Sequence, residues 1–124
     1  MEDDEEGETI NCKVVLLGEA GVGKTSIIAR FINDKFEKDI RSSTGASFMG
    51  KKMKFKEFKN KVLNFEIWDT AGQEIYRSLN TLVYKDSAIA LLVYDITNEN
   101  SFNEIQNYWY KQLIENAPKD ISKF

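Results

Sequence analysis

Histidine is absent from the 124 residues, and cysteine and proline each occur once. Without histidine the chain has lost the commonest general base, every Ser-His or Cys-His nucleophile pair, and the usual nitrogen ligand of zinc. A lone Cys12 excludes a disulfide framework or a thiolate metal cluster within one chain, and it reads as a small buried hydrophobe. Long apolar runs are missing too: the longest, Ala88 to Tyr94, is far too short to cross a bilayer. The first residues are acidic rather than basic, which is not a secretory signal pattern, so a cytoplasmic setting is the default expectation. A net charge of −3 gives no argument for nucleic acid. Any catalysis here must rest on positioning, on a metal held by oxygens, or on groups borrowed from a partner.

What is present describes a globular α/β chain. Hydrophobic content of 42% is enough for a real core. The opening "MEDDEEGE" has six acids in eight residues, so residues 1–10 are expected to form a solvated, flexible tail ahead of one domain over 11–124. "KVVLLG", Lys13 to Gly18, is a β-branched apolar run that predicts a strand buried on both faces. A helix is expected through "KTSIIARFIN", with Ile27, Ile28, Phe31 and Ile32 on one face. Residues Asp34 to Gly45 lack periodicity and read as a loop.

Alternation at Met53 and Phe55, then at Leu63, Phe65 and Ile67, predicts two antiparallel strands in a hairpin. Six lysines between Lys51 and Lys61 fit an exposed edge whose charge deters strand-to-strand aggregation. A short helix is expected over Ile75 to Lys85, a second buried strand over Ala88 to Ile96, and a helix opened by a Ser101/Glu104 capping box. Phe102, Ile105, Trp109 and Leu113 would form that helix's core face, with Pro118 just past its end. The order β-α-β-β-α-β-α implies a mostly parallel sheet with one antiparallel edge strand and helices on both sides. Right-handed crossovers place the strand from Lys13 at its centre.

"GEAGVGKT", Gly18 to Thr25, satisfies G-x-x-x-x-G-K-[ST] between a predicted strand and a predicted helix. Glycines let the backbone curl so that successive N–H groups at Glu19, Ala20, Gly21, Val22 and Gly23 point inward at phosphate oxygens. The helix start adds its positive dipole end. Lys24 is expected at the β- and γ-phosphates, the Thr25 hydroxyl on Mg²⁺, and Ser26 near the α-phosphate. "WDTAGQE" supplies the second element: Asp69 closes a buried strand at the sheet's carboxyl rim, where it could hold Mg²⁺. Gly72 offers an N–H to a γ-phosphate, and the Gln73 amide is placed to orient an attacking water.

Together "GEAGVGKTS", "GASF", "FEIWDTAGQE" and "LLVYDIT" resemble Rab-type small GTPases of the Ras superfamily. "STGASF", "GQEIYRSL" and "YDITNENSF" are similar to the endosomal Rabs in particular. The resemblance implies a P-loop NTPase fold, the small G domain, cut off after its third main helix. It implies a switch that binds GTP or GDP with Mg²⁺, hydrolyses GTP slowly, and acts in vesicle trafficking with effector, exchange-factor and GTPase-activating proteins. By position Phe36 resembles the aromatic packed on the guanine base, and Ser43 or Thr44 the threonine that ligates Mg²⁺ and senses the γ-phosphate. Phe48 and Trp68 resemble two members of an effector-reading aromatic trio, and Val83 replaces the third.

The guanine-gripping N-K-x-D and the supporting S-A-K do not occur in the 124 residues, nor does a C-terminal prenylation cysteine. Membrane association, at endosomal or other vesicles, is therefore expected only through partners. Three readings stay open: a Rab-like GTPase represented in part, a non-catalytic interaction module with weak or no nucleotide binding, and an unrelated P-loop ATPase. If no strand follows, Ala88 to Ile96 is expected to be an exposed apolar sheet edge, prone to aggregation or pairing with another chain.

Overall fold

The computed structural model describes residues 7–33, 47–70 and 83–124. Five strands form one sheet in the order β2-β3-β1-β4-β5. They are β1 (Glu8–Leu17), β2 (Ser47–Lys54), β3 (Lys61–Asp69), β4 (Ile89–Leu92) and β5 (Ser122–Lys123). Strands β3, β1, β4 and β5 run parallel, and β2 is antiparallel to β3 at the edge. Central β1, the hairpin and its antiparallel edge strand are where the sequence places them.

Strand β1 shows why its apolar run is continuous rather than alternating. Val14 and Leu16 pack with Ile28 and Ile67 on one face of the sheet. Val15 and Leu17 pack with Tyr84, Trp109 and Leu113 on the other. Helix α1 (Lys24–Asn33) covers the first face. The second is covered by a helical stretch made of α2 (Glu99–Glu104), a π-helical segment at Ile105–Trp109, and α3 (Tyr110–Asn116). Cys12 is a half-buried neighbour of the first cluster, and its thiol pKa is raised by burial and then by Glu66.

Several expectations change. Glu8, Thr9 and Ile10, grouped with the acidic tail by composition, are the first residues of β1, paired with Lys61, Val62 and Leu63. The second buried strand is four residues long rather than nine, because Asp95 to Ser101 fold into a cap instead. That cap is built on Asn98, not on the predicted Ser101: the Asn98 side chain accepts the Ser101 N–H, and Ser101 Oγ accepts the Asp95 N–H at 2.9 Å. Finally, β4 is not the sheet edge. Ser122 and Lys123 pair beside Ile89 and Ala90, and the Leu92 N–H donates to the Phe124 carbonyl at 2.6 Å.

Phe102, expected in the core, is 40% exposed and packs edge-on against Tyr94. Of the helix expected over Ile75 to Lys85, residues 75–82 lie outside the described residues. Val83 and Tyr84 are buried just ahead of a turn closed by the Ser87 N–H on the Tyr84 carbonyl.

Candidate functional site

The loop between β1 and α1 lies at the carboxyl end of the central strand, flanked by the ends of β3 and β4. Its first residue, Gly18, has φ +151°, and a Cβ there would sit 2.2 Å from the Val93 carbonyl oxygen, so no side chain fits. Gly23, at φ +108°, turns the chain into α1, and its carbonyl accepts the helix's first bond from the Ile27 N–H. These two positions give the curled path that the motif predicts.

Lys24 opens α1 and is buried, which is unusual for an ammonium group. It is stabilised there by carbonyls of its own loop: Nζ donates to Gly18 and to Glu19, each at 2.9 Å. The charge is thereby fixed inside the loop rather than on a mobile stem.

Thr25 and Asp69, 44 positions apart, meet at this loop: the threonine hydroxyl donates to Asp69 Oδ2 at 2.8 Å. The register of β1 on β3 explains the meeting, since Asp69 pairs with Leu16, two residues before the loop begins. Asp69 is buried, and its neighbour Thr70 is fully buried with its hydroxyl on the Leu16 carbonyl at 2.8 Å, tying the end of β3 to β1. A hydroxyl and a carboxylate are hard oxygen donors of the kind Mg²⁺ selects, so the pair fits the ion implied by the motif. Among the described residues no group of three or more acidic, histidine or cysteine side chains could hold a metal by itself.

Two contributors escaped sequence reasoning. Thr70 is one. The other is Trp109, expected only as core, whose indole N–H donates to the Glu19 carboxylate at 2.7 Å. A buried tryptophan needs an acceptor for that N–H, which was the available signal; its partner, 90 residues away, was not visible. Of the other predicted contributors, Ser26 is half-buried in the first turn of α1, and Phe36, Ser43, Thr44, Gly72 and Gln73 lie outside the described residues. Of the aromatic trio, Trp68 is half-buried with Lys13 Nζ 4.6 Å from its ring centroid, and Val83 is buried in the core. Nothing is described of the Phe48 side chain.

A family model described as the Ras family matches residues 13–124. The chain is 47% identical over 109 residues to the Ras-related protein Rab-22A of Homo sapiens, covering 88% of this chain and 54% of that protein. It is 47% identical over 109 residues to the human Ras-related protein Rab-31, with the same coverage of 88% and 54%. It is also 45% identical over 113 residues to the GTP-binding protein YPT53 of Saccharomyces cerevisiae, covering 91% of this chain and 50% of the relative. The chain spans about half the length of the curated relatives it matches. Among the described residues, no helix is long and apolar enough to cross a membrane.

Proposed function

The chain belongs to the Ras family, and from that premise we propose that it is the phosphate-binding portion of a Rab-like molecular switch. Such a switch binds GTP and GDP, hydrolyses GTP slowly, and acts in membrane trafficking. One observation carries the reading: Lys24, Thr25 and Asp69 converge on a glycine-shaped loop at the carboxyl end of the central strand. Relatives named as a Ras-related Rab protein and as a GTP-binding protein support the same switch class and the same nucleotide.

Phosphoryl transfer passes through a loose transition state, so a protein accelerates it by positioning and charge neutralisation. In this reading the loop N–H groups from Glu19 to Gly23 and the N-terminal end of α1 hold the β- and γ-phosphates. Lys24 neutralises charge that grows on the bridging and terminal oxygens. Thr25 and Asp69 would hold Mg²⁺, joined by Ser43 or Thr44, and a bound Mg²⁺ supplies further neutralisation of phosphate charge. Gly72 donates its N–H to the γ-phosphate, and the Gln73 amide aligns the attacking water. Phe36 packs on the base. No arginine is assigned to the transition state, so an arginine from an activating protein would raise turnover by roughly 10³- to 10⁵-fold.

Equilibrium binding of labelled GTP, GDP and ATP, with and without Mg²⁺, tests the proposal. Mg²⁺-dependent binding of GTP and GDP in preference to ATP is expected. Preference for ATP would overturn the switch reading, and no binding at high micromolar nucleotide would favour a non-catalytic interaction module.

A further inference from the structure

The phosphate loop is anchored from a direction its motif does not specify. Trp109 has no solvent exposure, and its indole N–H donates to Glu19 Oε2 at 2.7 Å. Glu19 is the loop's second residue, and its backbone carbonyl accepts the Lys24 ammonium at 2.9 Å. One residue is therefore held at both ends: its side chain by the helix that covers the far face of the sheet, its carbonyl by the lysine intended for phosphate.

The helix carries a local distortion at the same place. Ile105–Trp109 is a π-helical segment, and the Tyr110 N–H bonds to the Ile105 carbonyl, five residues back. A π turn shifts the side chains that follow around the helix axis and is found disproportionately at functional positions. Here its last residue is the tryptophan that reaches the loop. The choice of acceptor also matters. A carboxylate in a loop that must attract phosphate opposes the anion unless it is restrained, and the indole N–H restrains it against the helix side of the loop.

We propose that Trp109 is a positioning residue for phosphate binding: through Glu19 it fixes the backbone of the loop from Gly18 to Gly23 before phosphate arrives. Trp109 touches no phosphate. Its effect is pre-organisation, which spares the binding step the ordering of the loop. The inference rests on the phosphate-binding reading above, but its core, that the contact orders the loop, has a readout independent of nucleotide.

The test compares the full chain with its Glu19→Ala, Glu19→Gln and Trp109→Phe variants. The first readout is amide hydrogen exchange over residues 18–24 without nucleotide. Exchange should accelerate by about tenfold to a hundredfold in Glu19→Ala and Trp109→Phe, the range expected for losing a hydrogen bond to a charged group. It should stay close to the original rate in Glu19→Gln, whose amide oxygen still accepts the indole N–H. Both Glu19 variants are uncharged, so the difference between them isolates the hydrogen bond from the charge. Should Trp109→Phe fail to fold, the Glu19 pair decides alone. Equal exchange in Glu19→Ala and Glu19→Gln overturns the inference. The second readout is Mg²⁺-GDP affinity, expected about tenfold weaker in Glu19→Ala than in Glu19→Gln. If the unmodified chain binds no nucleotide, the switch reading fails while the exchange data still judge the anchor.

Discussion

Lys24 is only 3% exposed and would be unstable as a buried ammonium were the Gly18 and Glu19 carbonyls not at 2.9 Å. Replacing it with alanine removes both the loop's internal clamp and the charge offered to phosphate. Affinity for GTP should fall by roughly tenfold to a hundredfold, the range for losing a charge-assisted bond, as measured by nucleotide titration. Asp69→Asn is the sharper probe of the oxygen pair. The Thr25 hydroxyl can still donate to an amide oxygen, so folding should survive while the Mg²⁺ dependence of nucleotide binding weakens; an unchanged magnesium titration would remove Asp69 from the metal site. Tyr84 makes a pH prediction. Burial, and secondarily the nearby Tyr108, raises its phenol well above the usual range. The folded pKa lies above the unfolded one, near 10, so this stability is complete below about pH 10. Above that, the unfolded chain ionises first and stability falls by about 1.4 kcal/mol per pH unit. Urea midpoints measured from pH 9 to 11.5 should show this decline, and Tyr84→Phe should flatten it.

The elements were legible wherever one physical signal dominated. The run at Lys13 to Leu17 announced a strand covered on both faces, and Val14/Leu16 against Val15/Leu17 is that double burial. Lys24–Asn33 is the helix that its amphipathic spacing predicted. Reading was weaker where two signals competed. Val93 and Tyr94 are strand-forming residues, yet strand pairing ends at Leu92, and Asp95 gathers the Thr97 N–H and hydroxyl at 2.8 and 2.7 Å in a side-chain turn. Those bonds also depress the Asp95 pKa. Ser101 was expected as the cap, but Asn98, three residues earlier, takes that role, and periodicity alone does not fix the cap position. Trp109 was legible as core and not as an anchor, because a contact spanning 90 positions leaves no trace in local pattern. Ser101 tests the cap. It is fully buried, its hydroxyl donates to the Asn98 carbonyl at 2.7 Å, and it accepts the Asp95 N–H. Ser101→Ala leaves that N–H without its acceptor and should destabilise the fold by about 1–3 kcal/mol in chemical denaturation. A loss under a few tenths would mean that water replaces the hydroxyl.

On the scale of the whole sheet, its two faces are covered unequally among the described residues. The helical stretch from Glu99 to Asn116 buries Ala90, Trp109 and Leu113 completely on one side. On the α1 side, a groove of about 470 Å³ remains, lined wholly by apolar residues that include Ile27, Phe31, Met53, Phe55, Leu91 and Phe124. Phe65 stands edge-on to both Phe31 and Phe55 beneath it. Parallel strands are stable when both faces are shielded from water, so this groove leaves apolar surface of the sheet open among the described residues. β5 pairs with β4, and the adjoining Phe124 lines the groove. The expected weak point was the edge at Ala88 to Ile96; β5 covers that edge, and the apolar exposure lies on this face instead. An environment-sensitive apolar dye should therefore bind the folded chain, with fluorescence that grows as kosmotropic salt strengthens apolar association. Ile27, 44% exposed at the groove's rim, allows a specific control. Ile27→Lys should cut dye binding several-fold while leaving the far-ultraviolet circular dichroism intact, because the position is at the surface of α1. Light scattering on the same samples should show less concentration-dependent association in the lysine variant. Equal dye binding in both proteins would mean that the groove is closed in solution and that the exposed apolar surface lies elsewhere.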